Sequence, residues 1–455
     1  MTAFTTTRMR WHPVRQLDLP ASPSPRLRGA RIAVFGGTPT LVAAVVAALV
    51  AAGARAQEGL GGDQEPDGLV DLTMAASAED YRGPLQDTLT AIRSCYPRWV
   101  EQHEAGRVFY LAVTYLGGTM GYTDAPIAQP FGGIWAGLAK TLHRELPACE
   151  TRIVDVAPAD VDALPDILVR ELYRWGLFEV GYRDGRRYSL LAKAEPVRAP
   201  RVSLDKRDIV LVSGGGRGIG FLLARSLAED PGCRVVVTGR QEPPTGAESL
   251  DSAAVRAFEA GVWARRTPGQ PLPEIRAELA KARRGRELAD NLAAAHRDGL
   301  PLEYVRCDFT DPAQVAAVVA RCGDRLVGVI HNAGIDSPAR LPAKSDANAL
   351  TTVSTKVDGF TALFDAVRAL PLKFFCGVGS LTGRLGGMVG QLDYAAANDG
   401  LARLGLWAGH QVDFPVMTVC WPTWDQVGMI TNFAATLRYM APLAVAEGVQ
   451  RWRAE

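Results

Sequence analysis

The chain has 455 residues, of which 47% are hydrophobic and 22% charged, and its net charge is +1. That length favours two or three domains, the apolar share supports buried cores, and the balanced charge excludes a general polyanion-binding surface. The seven cysteines are scattered, with no CxxC pair and no metal-ligand spacing beside a histidine, which predicts a reduced cytoplasmic protein without structural zinc.

The N-terminal stretch has arginines but lacks the apolar segment of a secretory signal. The most apolar run, TLVAAVVAALVAAGA, is shorter than the ~20 residues needed to span a bilayer, and the strand-like RIAVFGG precedes it. Residues 31–54 therefore read as strand, glycine turn and buried helix, and DIVLVSGGGRGIGFLLARSLAED at 208–230 repeats that plan. The parallel continues. GRVFYLAVTYLGG, FGGIWAGLAKTLHREL and TRIVDVAP match in order LKFFCGVGSLTG, LDYAAANDGLARLGLWAGHQ and FPVMTVCWPTW. The pattern predicts an α/β protein with two Rossmann-like, doubly wound parallel-sheet subdomains. Residues 1–200 form a degenerate structural one, and residues 201–455 form the one that carries chemistry. RDG, inside LFEVGYRDGRRYSLLAKAEPVRAP, predicts a hairpin ahead of the seam. The segment 241–303 begins Pro-rich and turns charged and helical; it reads as a helical insertion on the sheet rim, with AKARRGRE as a solvated face.

SGGGRGIG, spanning Ser213, Gly214, Gly215, Arg217, Gly218, Ile219 and Gly220, directly follows a β-branched run and opens a helix. Gly214, Gly218 and Gly220 permit the tight turn and let backbone N–H groups approach a pyrophosphate at the helix N-terminus. The next strand, RVVVTGR, ends on Arg240, about 20 residues beyond the glycines, where a carboxylate would receive an NAD ribose. An arginine there suits a 2′-phosphate instead, and Arg217 adds a second cation, so the expected cofactor is NADPH. Asp308, in YVRCDFTD, is placed to accept from the adenine amine or to cap the following helix, although Thr310 and Asp311 are better placed as caps. VGVIHNAG puts Asn332, Ala333 and Gly334 at the end of the next strand, beside a ribose, and His331 reads as structural.

Reducing a carbonyl requires a hydride donor and a proton donor that polarises the oxygen. Ser380 ends a strand and Tyr394 opens a helix, so both fall at the carboxyl edge of the sheet. A Ser hydroxyl holds the oxygen as charge develops, and a phenol gives the proton if a nearby ammonium lowers its pKa. No lysine follows Tyr394 at the fourth position; that place is Asn398.

This set resembles the short-chain dehydrogenase/reductase family. Tyr394-Ala-Ala-Ala-Asn398 resembles in particular the Tyr-x-x-x-Asn of polyketide-synthase ketoreductase domains, where Lys and Asn have exchanged places. The resemblance implies that Lys356, in STKVDGFTALFDAV 24 positions before Ser380, supplies the ammonium, and that Asn398 orients Lys356 or a relay water. It also implies that CWPTWDQVGM supports the nicotinamide carboxamide. GRLGGMVGQLDYAAAN, GLAKTLHREL and the charged insertion resemble ketoreductases of polyunsaturated-fatty-acid synthases and related iterative synthases. The function so implied is NADPH-dependent reduction of a β-keto thioester on the phosphopantetheine arm of an acyl carrier protein. The partners are other synthase domains, with no metal, nucleic acid or membrane. Two further readings are a free-standing reductase of a diffusible ketone and an inactive dinucleotide-binding scaffold. The Ser380–Tyr394 loop is one residue longer than the family pattern. The Leu-Asp-Asp and Trp markers of the two stereochemical classes are both absent, so the handedness of the alcohol stays open. No carrier, ketosynthase or acyltransferase signature is present, and RYMAPLAVAEGVQRWRAE follows an expected lid helix; both point to an excised domain or a partner acting in trans.

Overall fold

The structure is a computed structural model that describes residues 6–16, 27–61, 65–75, 80–104, 108–122, 124, 127–196, 202–242, 257, 260–264, 272–429 and 441–455. The expected lid segment and much of the 241–303 insertion lie outside the described residues. The first β-branched run becomes β2 (Arg31–Phe35), and Gly36 and Gly37 then turn the chain at φ 72° and 78°. Thr38 caps α1 (Pro39–Ala51), its hydroxyl accepting from the Leu41 N–H at 3.3 Å, with proline at the position where a helix has no use for an N–H.

Around β2 an eight-stranded sheet forms, in the order β1 (Met9–Arg15), β8 (Arg186–Ala194), β7 (Glu179–Arg183), β6 (Cys149–Val156), β5 (Val108–Thr114), β4 (Gly68–Asp71), β2 and β3 (Arg55–Glu58). The pairings from β3 to β7 are parallel, and β5, an unbroken apolar run, is buried along its whole length, as a strand covered on both faces must be. The expected hairpin joins β7 to β8 through Asp184 and Gly185 at φ 52° and 69°, the left-handed pair that Asp-Gly supplies most readily.

The second sheet runs β11 (Leu302–Arg306), β10 (Arg234–Gly239), β9 (Ile209–Ser213), β12 (Leu326–His331), β13 (Phe374–Ser380) and β14 (Val416–Trp421). The chain winds from β9 to one side and returns to the other, so the order reverses between β9 and β12, where doubly wound sheets bind ligands. The eight-stranded sheet has only β3 beyond β2, where the second sheet has two strands beyond β9; one winding strand is missing and an antiparallel hairpin extends the opposite side.

The space after β2 is also filled. A Cβ on Gly36 would stand 2.6 Å from the Thr73 backbone. Asp71, at the end of β4, accepts from Thr73 N and Oγ1 (2.9 and 2.6 Å), Thr88 Oγ1 (2.6 Å), Tyr110 OH (2.7 Å) and Trp135 Nε1 (3.1 Å). Burial raises its pKa and these donors oppose the shift.

By packing, the chain forms two compact units, Met1–Val197 with Ile335–Phe360 and Gly377–Pro422, and Arg198–Gly334 with Thr361–Cys376 and Thr423–Glu455. The first unit holds α2 (Arg82–Val100), α3 (Gly133–Glu145) and α4 (Leu164–Leu172), and also α9 (Leu381–Leu385) and α10 (Leu392–Gly409). The second holds α5 (Gly218–Glu229), α6 (Leu272–Arg297), α7 (Pro312–Cys322) and α11 (Val445–Ala454), while α8 (Asp346–Val367) is divided between the two. None of the described helices is long and apolar enough to cross a membrane.

Inside the first unit, α3 and α10 lie backbone to backbone. A Cβ on Gly137 would run into the Ala395 carbonyl and one on Gly133 into that of Asp399, while Ile134 stands 2.9 Å from a Cβ placed on Gly400. Gly137→Ala should therefore lower stability by about 1–3 kcal/mol through overpacking, although alanine is the better helix former. Gly83→Ala, in α2 with open space before it, should stabilise. Thermal melts check the pair, and equal shifts for both would contradict the close α3–α10 contact.

Candidate active site

The glycine loop is built in the second unit. Gly214 and Gly218 sit at φ +63° and +55°; a Cβ on Gly214 would stand 2.9 Å from Ala333 Cα, and one on Gly220 would stand 2.5 Å from Asn332 Nδ2. Only glycine allows β12 to end against the loop so closely. A Cβ on Gly218 would meet nothing nearer than Gly428 Cα at 3.8 Å, while Gly215 folds back on Val212. Ile219 and Gly220 continue into the first turn of α5. A backbone of this shape fits a dinucleotide pyrophosphate.

Ser213 turns its side chain to the scaffold. Its side chain is 0% exposed, and its Oγ accepts from Asn332 N and Ala333 N, both at 3.2 Å, leaving its proton for His331 Nδ1 at 2.8 Å. Asn332 Nδ2 in turn donates to Gly214 O at 3.0 Å. Ser213, His331 and Asn332 thus lock β9 to β12 at the reversal point, and the Ser213 hydroxyl and Asn332 amide are spent on the scaffold. Gly334 ends this segment.

Arg240 is exposed just past β10. Arg217 is partly covered, and desolvation lowers its pKa while Glu287 opposes that shift. Asp308 turns its carboxylate onto its own loop, accepting from Thr310 N and Oγ1 at 3.0 and 2.8 Å. The cap of α7 is Asp311, which accepts from Ala313 N at 2.9 Å.

Lys356, Ser380, Tyr394 and Asn398 all belong to the first unit. Lys356 is 3% exposed on α8; its Nζ donates to Val378 O at 2.9 Å, and burial lowers its pKa to about 8, with Cys420 opposing. Ser380 ends β13 in extended conformation and caps α9, its Oγ accepting from Thr382 N and Oγ1 at 3.2 and 3.0 Å. Asn398 Nδ2 donates to Tyr394 O one turn back at 2.8 Å, while its buried Oδ1 has no donor among the described residues. That acceptor is suited to a water or a ligand hydroxyl.

The Tyr394 hydroxyl departs from expectation. Its pKa is raised, chiefly by burial and then by the Asp336 carboxylate, and hydrogen bonds with Ser380 and Asn398 pull the other way. The lowering expected from a lysine does not appear in its balance, because removing the phenol from water outweighs every favourable neighbour. Asn398 is tied to the Tyr394 carbonyl one turn back, and Ser380 and Asn398 both favour the ionised phenol.

Asp336 was not singled out by sequence. Burial pushes its carboxyl up to about 6, Asp393 adds to the shift, and Gln391 Nε2 donates to it at 2.6 Å. Lys344 pairs at 2.7 Å with Asp393, which also accepts from Tyr394 N at 3.0 Å in the first turn of α10.

A second group missed by sequence holds α10 from behind. Asp399, beside Asn398 and 0% exposed, takes Lys140 Nζ at 2.8 Å and is paired with Arg384; Arg403 Nε lies 3.6 Å away. Glu179 completes the cluster, paired with Lys140 and 2.5 Å from Arg403, and the Tyr122 ring lies over both arginines. Lys140 also donates to Gly383 O at 3.2 Å. The cluster thereby holds the segment after Ser380 as well as the helix of Tyr394. Burial alone would raise the Asp399 pKa, but Arg384, Lys140 and Arg403 outweigh it and hold the carboxyl well below its ordinary range.

A carboxylate whose folded pKa lies below its unfolded one adds stability that is complete above about pH 4 and lost as pH falls further. Asp399→Asn should therefore cost about 3–5 kcal/mol at neutral pH and show a shallower acid loss than the parent. Urea titrations across pH check this, and an unchanged midpoint would contradict the clamp.

Comparisons with known proteins identify the family. Residues 209–426 match the KR domain family. The chain is 31% identical over 363 residues to a polyunsaturated fatty acid synthase polypeptide of Thraustochytrium, covering 72% of this chain and 12% of that protein. It is 28% identical over 344 residues to polyketide synthase PksL of Bacillus subtilis, covering 72% of this chain and 7% of that one. The chain thus spans only a small fraction of the length of these curated relatives. An N-terminal ketoreductase from the macrolactin assembly line has the same fold, with TM-score 0.72 at 17% identity over 98% of this chain and 88% of that one. Through residues 209–426 the chain thus belongs to the KR domain family, the ketoreductase domains.

Proposed function

We propose that the chain reduces a β-ketoacyl thioester to the β-hydroxyacyl thioester with NADPH, the acyl group being carried on the phosphopantetheine arm of an acyl carrier protein beside other synthase domains. The observation that carries this reading is Tyr394 and Asn398 one turn apart on a clamped helix, with Ser380 at the end of β13 acting on the same phenol. The Lys356 ammonium, buried at the Val378 carbonyl, supplements it.

When bound, NADPH supplies a hydride to the β-carbon. The Gly214–Gly220 loop receives the pyrophosphate, Arg217 and Arg240 receive the 2′-phosphate, and the backbone at Ala333 and Gly334 passes the ribose. Asp308 flanks the adenine in this reading, with the oxygen its own turn leaves over. Ser380 Oγ gives a hydrogen bond to the ketone oxygen as negative charge grows on it, and Tyr394 donates its proton to that oxygen. The raised phenol pKa keeps Tyr394 protonated until then. Lys356, charged at neutral pH, stabilises the phenolate that follows, and Asn398 Oδ1 holds a water or the ammonium in line to return the proton. Residues 1–200 act structurally, by backing the helix on which the proton donor sits.

Tyr394→Phe should lower kcat at least about 10²-fold while leaving the Kd for NADPH within about twofold, because only the proton donor is removed. Full turnover in that variant would end the assignment, and loss of cofactor binding would mean the phenol holds the dinucleotide instead.

The Lys356 pKa, lowered to about 8 by burial, adds a prediction for pH dependence. The cation is present below that value and lost above it, so kcat should fall on the basic side of about pH 8. Lys356→Arg should push that limb upwards. A limb that stays in place in the arginine variant would assign it to another group.

A further inference from the structure

The charged helix α6 does more than face solvent. Leu288 stands 2.6 Å from a Cβ placed on Gly216, and Asn291 Nδ2 donates to Gly216 O at 3.1 Å. Between these anchors and the loop reaches Glu287. Its Oε1 accepts from Gly218 N at 2.9 Å, and its Oε2 lies 3.9 Å from Arg217 Nη1. Residues 284, 287, 288 and 291 recur at helical spacing, so one stripe of α6 is laid along the glycine loop.

The first N–H of a helix and an adjacent guanidinium make a site for anions, and here a carboxylate of the protein itself is at that site. Its charge counters Arg217, which is partly desolvated and also feels the Arg284 cation. Glu287 and Arg217 are 47% and 37% exposed at the side chain, so the pair is water-accessible and separable by a ligand. A ligand bringing a phosphate to Arg217 meets the Glu287 charge as a repulsive neighbour. A ligand that brings only ribose hydroxyls to Arg217 meets that charge through its pyrophosphate alone.

We propose that Glu287 sets the cofactor preference of this site by restraining the affinity for the 2′-phosphate that Arg217 would otherwise give. The inference rests on the NADPH reading above. Glu287 acts through Arg217 and the Gly218 N–H, and its amide isostere keeps the hydrogen bond while removing the charge. The restraint then falls more heavily on NADPH than on NADH, which shares the pyrophosphate but lacks the 2′-phosphate.

The test is dissociation constants for NADPH and NADH, read by cofactor fluorescence at low and at physiological salt, for the parent, Glu287→Gln, Arg217→Gln and the double variant. Glu287→Gln should bind NADPH about three- to fivefold more tightly at low salt, with the gain shrinking as salt rises and NADH changing by less than about twofold. In the Arg217→Gln background the NADPH gain should fall to that of NADH. Weaker NADH binding in Glu287→Gln would make the carboxylate a ribose acceptor and overturn the proposal. Equal weakening of both cofactors would make it a structural strut, equal tightening would set its charge against the shared pyrophosphate alone, and unchanged constants would deny it a role; each of these outcomes overturns it as well. A folded parent that binds neither dinucleotide would instead refute the reductase reading itself, which separates the two failures.

Discussion

Asp399 is surrounded by Lys140, Arg384 and Arg403 and has no access to water. An isolated charge cannot be kept there, so the carboxylate and its cations must be assembled together or not at all. That requirement fixes α10 against α3 and β7, because Lys140 comes from one and Glu179 from the other. The neighbouring residue along α10 is Asn398, and one turn back is Tyr394. Proton chemistry needs its groups held within a fraction of an ångström, and a buried ionic cluster with one good arrangement supplies that rigidity.

The same constraint gives the N-terminal sheet a part in holding α10. Its first glycine turn is closed by Thr73, and the carboxylate at the end of β4 is occupied by its own hydroxyl, phenol and indole donors. What it retains is α3, with two glycines a turn apart that let α10 approach backbone to backbone. The packing of this half requires that helix, whatever fills its glycine turn.

Much of this was readable from sequence because it depends on local rules. The β-branched run, glycine turn and helix of each half, the Asp-Gly hairpin and the sheet class follow from periodicity and turn chemistry within short windows. Tyr394 and Asn398 were visible through helical spacing. Residues 140, 179, 384, 399 and 403 were not, since each reads alone as an ordinary charge and only the tertiary fold makes them one cluster. Glu287 failed to register for a related reason: in a run of charges nothing local marks the one that turns inward. Ser213 shows the converse. The glycine pattern located its loop correctly, but whether a hydroxyl faces ligand or scaffold depends on the strand beside it, here on His331 and Asn332. The phenol pKa is likewise a balance over groups distant in sequence, and burial carries more weight there than the lysine that the family pattern brings to mind.

The most direct test of the account follows the hydrogen. NADPH deuterated at both C4 positions is mixed with the protein and a β-ketoacyl-N-acetylcysteamine thioester, and the product is read by mass spectrometry and proton NMR. The account predicts a β-hydroxy thioester carrying one deuterium, on the β-carbon. An alcohol without deuterium there, or no alcohol from folded protein that binds NADPH, would contradict it.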